Sequence, residues 1–211
     1  MEREAILHRV RTAIGRSAGQ APAPVPELRL RIPEVSREAR VEPLLENVGK
    51  LAGKTARVKT VDEARQYAAE LLQGRTAVMS NAPFLEECGM GTLPGVTGGY
   101  RDRDALRAAA EKADVGITSA EYALADTGSL VMLSSTAEAR MISLLPMVHL
   151  AIVRADRILT GLDELYTLIP DPMSRTSSMV LITGPSRTAD IEQILVRGVH
   201  GPGEIHVVVV E

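Results

Sequence analysis

The sequence predicts an α/β fold, a mostly parallel open sheet with helices on both faces. Two observations predict it. From residue 36 onward, short apolar segments alternate with helical stretches, and strands alternating with helices build βαβ units around a parallel sheet. The closing run Ile205-His206-Val207-Val208-Val209-Val210 is almost continuously apolar, as suits a strand covered on both sides.

The elements follow in order. Residues 2–16 read as an amphipathic helix, because Ile6, Leu7, Val10 and Ile14 recur at helical spacing before Gly15 and Gly19. Its apolar stripe needs cover, from the same molecule or from a partner chain. Residues 17–35 hold Pro22, Pro24, Pro26 and Pro33, which lock φ and remove donors, so they predict an extended linker. The chain thus divides into an N-terminal helix with its linker, 1–35, and an α/β domain, 36–211. In that domain, residues 37–52 read as a helix and Arg57–Val61 as a strand. Residues 62–73 form a helix opened by Asp62 and stopped by Gly74, and Thr76–Ser80 is a strand. Leu106 and its alanines place a helix at 101–112. Val115–Thr118, Ser129–Leu133, His149–Val153 and Met179–Thr183 are strands, and a helix begins near Thr188 with Ile191, Ile194 and Leu195 inward.

Composition excludes several classes. The chain has 211 residues and a net charge of −3, so no basic surplus points to nucleic acid or an anionic membrane. With no Trp and one Phe it lacks a stacking platform for single strands. Cys88 is the only cysteine; it reads as a small buried apolar side chain, and one thiol makes neither a disulfide nor a four-thiolate iron–sulfur site. No histidine pair has metal-ligand spacing, so no metal is expected. No apolar run approaches the length of a membrane span, and the mixed charges of Met1–Leu7 are unlike a signal peptide. A cytoplasmic protein is expected.

Three segments carry chemical content. In Thr118–Ser129, Glu121 follows a strand end, and Asp126-Thr127-Gly128 makes either a tight turn or a catalytic corner. Asp-Thr-Gly also occurs in aspartic proteases, but those need a second copy or a symmetric dimer, and this sequence has one copy in a helix-rich context. In Thr183–Glu192, Gly184-Pro185-Ser186-Arg187-Thr188 leads to Asp190 and Glu192. A capped helix start and a small-anion site are both readings of it. In Gly198–Gly203, His200 sits between glycines and can exchange a proton near neutral pH. Arg140 lies in a mostly apolar stretch and calls for a carboxylate, with Asp126 a candidate partner. Gly89-Met90-Gly91-Thr92-Leu93-Pro94-Gly95 is not a dinucleotide fingerprint, since its last glycine is late and Pro94 stands where a helix should begin.

Together, Ala125-Asp126-Thr127-Gly128, Arg140, Leu145-Pro146, His149, Gly184-Pro185-Ser186, Thr188-Ala189-Asp190-Ile191-Glu192 and Gly198-Val199-His200-Gly201-Pro202 resemble the lactate-utilization, or LUD-domain, family. The order and spacing hold over about 115–210 and more loosely back to about 40. The family residue before Thr-Gly is Glu, and here it is the shorter Asp126. The resemblance implies the superfold of CoA transferases, ribose-5-phosphate isomerase and glucosamine-phosphate deaminase. It implies work in converting L-lactate to pyruvate within a three-component system. Iron–sulfur clusters would sit on two partner subunits, of the lactate utilization A and B types, and no cofactor in this chain. The expectation is then a cluster-free subunit with one pocket for a small carboxylate or acyl ligand. Thr127, Gly128, Arg140, Gly184, Ser186, Thr188 and Asp190 are its candidate binding residues, and Glu121, Asp126 and His200 the catalytic candidates. The alternatives are a stand-alone transferase or isomerase with Glu121 or Asp126 as nucleophile or base, and a non-catalytic scaffold tethering partners through residues 1–35.

Overall fold

The computed structural model describes residues 3–21, 35–189 and 195–211. The chain falls into two compact units, Met1–Leu30 and Arg31–Glu211. The first contains the helix α1 (Arg3–Ala13), none of whose residues is buried. Most of the linker predicted at 17–35 lies outside the described residues.

The second unit opens with α2 (Glu38–Lys50), β1 (Lys54–Val58) and α3 (Val61–Leu71). Then come β2 (Ala77–Met79), the short α4 (Pro83–Glu87), β3 (Val96–Thr97), α5 (Arg103–Lys112) and β4 (Val115–Ser119). Next are β5 (Tyr122–Leu124), β6 (Ser129–Leu133), β7 (Val148–Arg154), β8 (Ile158–Leu159) and α6 (Leu162–Leu168). The chain closes with β9 (Met179–Ile182), β10 (Arg187–Ala189), β11 (Leu195–Arg197) and β12 (Glu204–Val210). Six strands form one sheet in the order β1-β12-β7-β4-β2-β3, every pairing parallel. The expected α/β class with a parallel open sheet is therefore observed.

Both faces of the sheet are buried, because alternate residues of its central strands feed separate cores. Val148, Leu150 and Ile152 of β7 pack with Val208 and Val210 of β12 against Ala64 and Ala68 of α3 and Leu85 of α4. On the other face, Ala151, Val153, Val207 and Val209 meet Val41, Leu44 and Val48 of α2. Leu106 and Ala110 of α5 cover Val78 beside Ile142.

Four expectations are corrected. The first strand begins at Lys54 rather than Arg57, in register with His206. Thr60 is thereby left to cap α3, its hydroxyl accepting from Glu63 N–H at 3.2 Å, where Asp62 was expected to open the helix. Ser129–Leu133 and Met179–Ile182 are strands but leave the parallel sheet, joining a second, four-stranded sheet of order β8-β5-β6-β9. Leu130 and Met132 of that sheet bury against Val207 and Val209, so it replaces a helix as cover on that face. The helix expected near Thr188 does not start there, since Thr188 pairs antiparallel with Val196 across β10 and β11. Leu195, expected on that helix, lies in β11, while Ile191 and Ile194 fall outside the described residues. The Thr-Ala-Asp capping signal is local, and a backbone ladder to a β-branched partner overrides it.

Candidate functional site

The carboxyl ends of β2, β4 and β7 face the second sheet across a cleft of about 450 Å³. This is the edge at which open parallel sheets bind ligands. Its walls include Ala82 and Phe84 after β2, Ser119 and Glu121 after β4, Arg154 at the end of β7, and Ser134 and Ser135 after β6. The loop from Ser134 to Glu138 is held tightly: Ser135 Oγ accepts from Glu138 N–H at 3.0 Å, and Asn81 N–H donates to the Ala137 carbonyl at 2.8 Å.

Glu138 ends that loop, lines the cleft and is 9% exposed. Its Oε2 accepts from the Ser80 hydroxyl at 2.7 Å and from Ser119 N–H at 3.2 Å. Its Oε1 is buried with no hydrogen-bond partner among the described residues. Burial pushes this carboxyl up to about 7, against the pull of Ser80 and Ser119. The sequence reading missed Glu138. A signal was present, since it is the only carboxylate between Asp126 and Asp156 and follows the hydroxyl run Ser134-Ser135-Thr136.

Arg154, Arg157 and Arg175 also line the cleft. Arg154 pairs with Glu87 and lies 4.1 Å over the Phe84 ring. Arg157 is 3.7 Å from Glu121 and 5.6 Å over the Tyr122 ring. Arg175 has no acidic partner among the described residues. Exposed ion pairs of this kind are each worth about 0–1 kcal/mol, so an incoming carboxylate competes for these guanidinium groups at small cost.

The residues singled out from sequence are not all brought together. Glu121 lies in this cleft. Arg140, Gly184, Ser186 and His200 line a second hollow of about 210 Å³ with Thr183, Leu144 and Pro202. Ser186 anchors it, its N–H donating to the Pro202 carbonyl at 2.8 Å and its carbonyl accepting from Gly198 N–H at 3.1 Å. The segment around Asp126 lines neither space. It is a turn clasped onto α2: Asn47 Nδ2 donates to the carbonyls of Ala125 at 2.8 Å and Asp126 at 3.1 Å. Gly128, at φ +68°, lies against the Asn47 and Val48 backbone. The Asp126 carboxylate abuts Gly161, so it is not the partner expected for Arg140. Thr127 Oγ1 bonds Ser129 Oγ at 2.8 Å, which bonds Thr183 Oγ1 at 2.6 Å. That hydroxyl chain leads from the turn to the edge of the second hollow. Thr188 sits in β10, and Asp190 lies outside the described residues. One pocket expected from three loops is thus two hollows and a structural turn.

His149 is buried in the central sheet, its Nε2 2.7 Å from Thr118 Oγ1 and its Nδ1 without a partner among the described residues. Burial lowers it to about 4, so it is a neutral core histidine. Cys88 is buried among apolar side chains, its thiol pushed up to about 11. Such a thiol does not suit a metal cluster. No described helix is long and apolar enough to cross a membrane.

The LUD domain model matches residues 41–210. A protein named lactate utilization protein C from Halalkalibacterium halodurans is 30% identical, the match covering 99% of this chain and 97% of that one. A protein of the same name from Bacillus subtilis is 42% identical over 97 residues, 44% of this chain and 40% of its own. The crystal structure of a DUF162 family protein from Deinococcus radiodurans superposes with a TM-score of 0.65 at 21% identity, covering 84% of this chain and 99% of that one. That likeness supports the fold alone. The match to the family model spans most of the α/β unit, one relative is alike along nearly its whole length, and the chain belongs to the LUD domain family.

Proposed function

We propose that this chain serves lactate utilization as the cluster-free component of an iron–sulfur system converting L-lactate to pyruvate, and that the cleft between its six- and four-stranded sheets binds a small carboxylate or acyl ligand. Relatives named lactate utilization protein C support the first part. The division of labour is supported by Cys88, one buried thiol where a cluster needs about four. Partners carrying the redox centres, of the lactate utilization A and B types, follow from that division. The observation that carries the ligand class is the set of three guanidinium groups, Arg154, Arg157 and Arg175, around one cleft at the carboxyl ends of parallel strands. Arg157, held on the Tyr122 ring, and Arg175 meet the carboxylate, while the hydroxyls of Ser134 and Ser135 accept or donate to its remaining oxygens.

Gene deletion in the host tests the reading. Growth on L-lactate as sole carbon source is expected to stop while growth on pyruvate continues. The wild-type gene is expected to restore it and an Arg157→Ala, Arg175→Ala double variant to restore it poorly. Unchanged lactate consumption in the deleted strain overturns the reading.

A further inference from the structure

We infer that Glu138 is the proton-carrying group of the cleft: in its neutral form it donates a hydrogen bond from Oε1 to an oxygen of the bound ligand, and where it is ionised in the free protein it takes up a proton as the ligand binds. The inference rests on the reading of the cleft as a carboxylate site and deepens it by assigning the donor.

The hydrogen-bond pattern carries the argument. Oε2 already accepts from two donors, Ser80 Oγ at 2.7 Å and Ser119 N–H at 3.2 Å. In a neutral carboxyl the proton therefore belongs on Oε1, the oxygen with no partner among the described residues. A buried donor without an acceptor is costly, and a ligand carbonyl or carboxylate oxygen removes that cost. Glu138 lines the cleft that holds the three arginines, and its Oε1, closed from solvent in the ligand-free chain, meets the ligand as the side chain turns toward it. Its preference for the neutral form, with a midpoint near neutral pH, agrees with this pattern. The charged groups facing the same space are Glu87 from α4, Glu121 after β4, Arg154 from β7, Arg157, and Arg175 after the Pro172–Ser174 turn. Arg154 with Glu87 and Arg157 with Glu121 are paired, so burial rather than a neighbouring charge sets the state of Glu138. An ionised Glu138 would oppose an anionic ligand; a neutral one welcomes it.

The test uses the full chain with pyruvate and L-lactate as probes, both ionised throughout. Affinity is measured calorimetrically from about pH 6 to about pH 8, in buffers of differing ionisation enthalpy, for wild type, E138Q and E138A. From about pH 6 to about pH 8 the protonated fraction of Glu138 falls from about nine-tenths to about a tenth, so wild-type affinity is expected to fall about tenfold over that range, with uptake approaching one proton per ligand at its upper end. E138Q keeps an N–H donor and no titration, so its affinity is expected to be flat with pH; E138A is expected to bind weakly throughout. An E138Q profile that slopes like wild type, or a flat wild-type profile, overturns the inference. If that happens while Arg157→Ala still abolishes binding, the carboxylate reading stands and only the role of Glu138 falls. If neither acid binds wild type at any pH, both fall. Infrared difference spectra of the ligand-free chain give a second route. A protonated-carboxyl stretch is expected at about pH 6 in wild type, lost by about pH 8 and missing in E138Q. Its absence at the lower pH overturns the inference without reference to any ligand.

Discussion

Glu138 and His149 are buried groups whose titrations pull stability in opposite directions. Glu138 is raised by burial from 4.5 to about 7. The folded state then binds more protons than the unfolded state between those values, so stability is fullest below 4.5 and falls as pH rises to about 7. His149 is lowered by burial from 6.5 to about 4, so its contribution is fullest above 6.5 and is lost as pH falls toward 4. Each ionised state costs on the order of 3 kcal/mol. E138Q is therefore expected to be more stable than wild type by about 2–3 kcal/mol near pH 8 and equal to it near pH 4.5, read as the difference between urea unfolding curves. An advantage independent of pH would contradict the assignment. At this scale the sequence was a partial guide. Glu121 was singled out because it follows a strand end, and it does reach the cleft. Glu138 was passed over because nothing in its neighbours along the chain shows that it is buried; Ser80, its closest partner, is far away in sequence.

Two glycines show how elements are fitted to one another. An added Cβ on Gly116 of β4 would overlap the Ile142 carbonyl oxygen, so the backbone of the Arg140–Ser143 turn rests directly on the strand. Gly116→Ala is expected to lower stability by about 3 kcal/mol or more, measured by denaturant titration. At Gly128 an added Cβ would stand 2.7 Å from Val48 N, at a φ of +68° that disfavours side chains. Gly128→Ala is expected to cost about 2 kcal/mol or more by the same measurement, and a neutral result would show the turn is not clasped to α2. The Asp-Thr-Gly segment thus earns its place through packing. Elements were legible where one local signal agreed with burial: the apolar run of β12, the alanine face of α5 with Asp102 as its cap, the glycine stop after α3. They were misread where a partner strand competed, as at Thr188.

At the scale of the molecule, the unit Arg31–Glu211 holds the six-, four- and two-stranded sheets and both hollows described above. A chain beginning at residue 31 is expected to keep a single cooperative unfolding transition with the far-UV spectrum of an α/β protein. Loss of cooperativity would show that the unit needs the first thirty residues.

The sequence by itself determined the class of fold, the identity of most strands and the family. Those follow from periodicity, glycine and proline placement and joint motif spacing, all local along the chain. Tertiary structure alone decided which strands left the parallel sheet, because pairing partners are chosen by mutual burial over long separations. It also decided that the predicted residues separate into two hollows and a structural turn, and that a carboxylate never singled out is buried with an oxygen lacking a partner among the described residues. Burial and hydrogen-bond supply belong to neighbours in space, and no spacing along a chain encodes them directly.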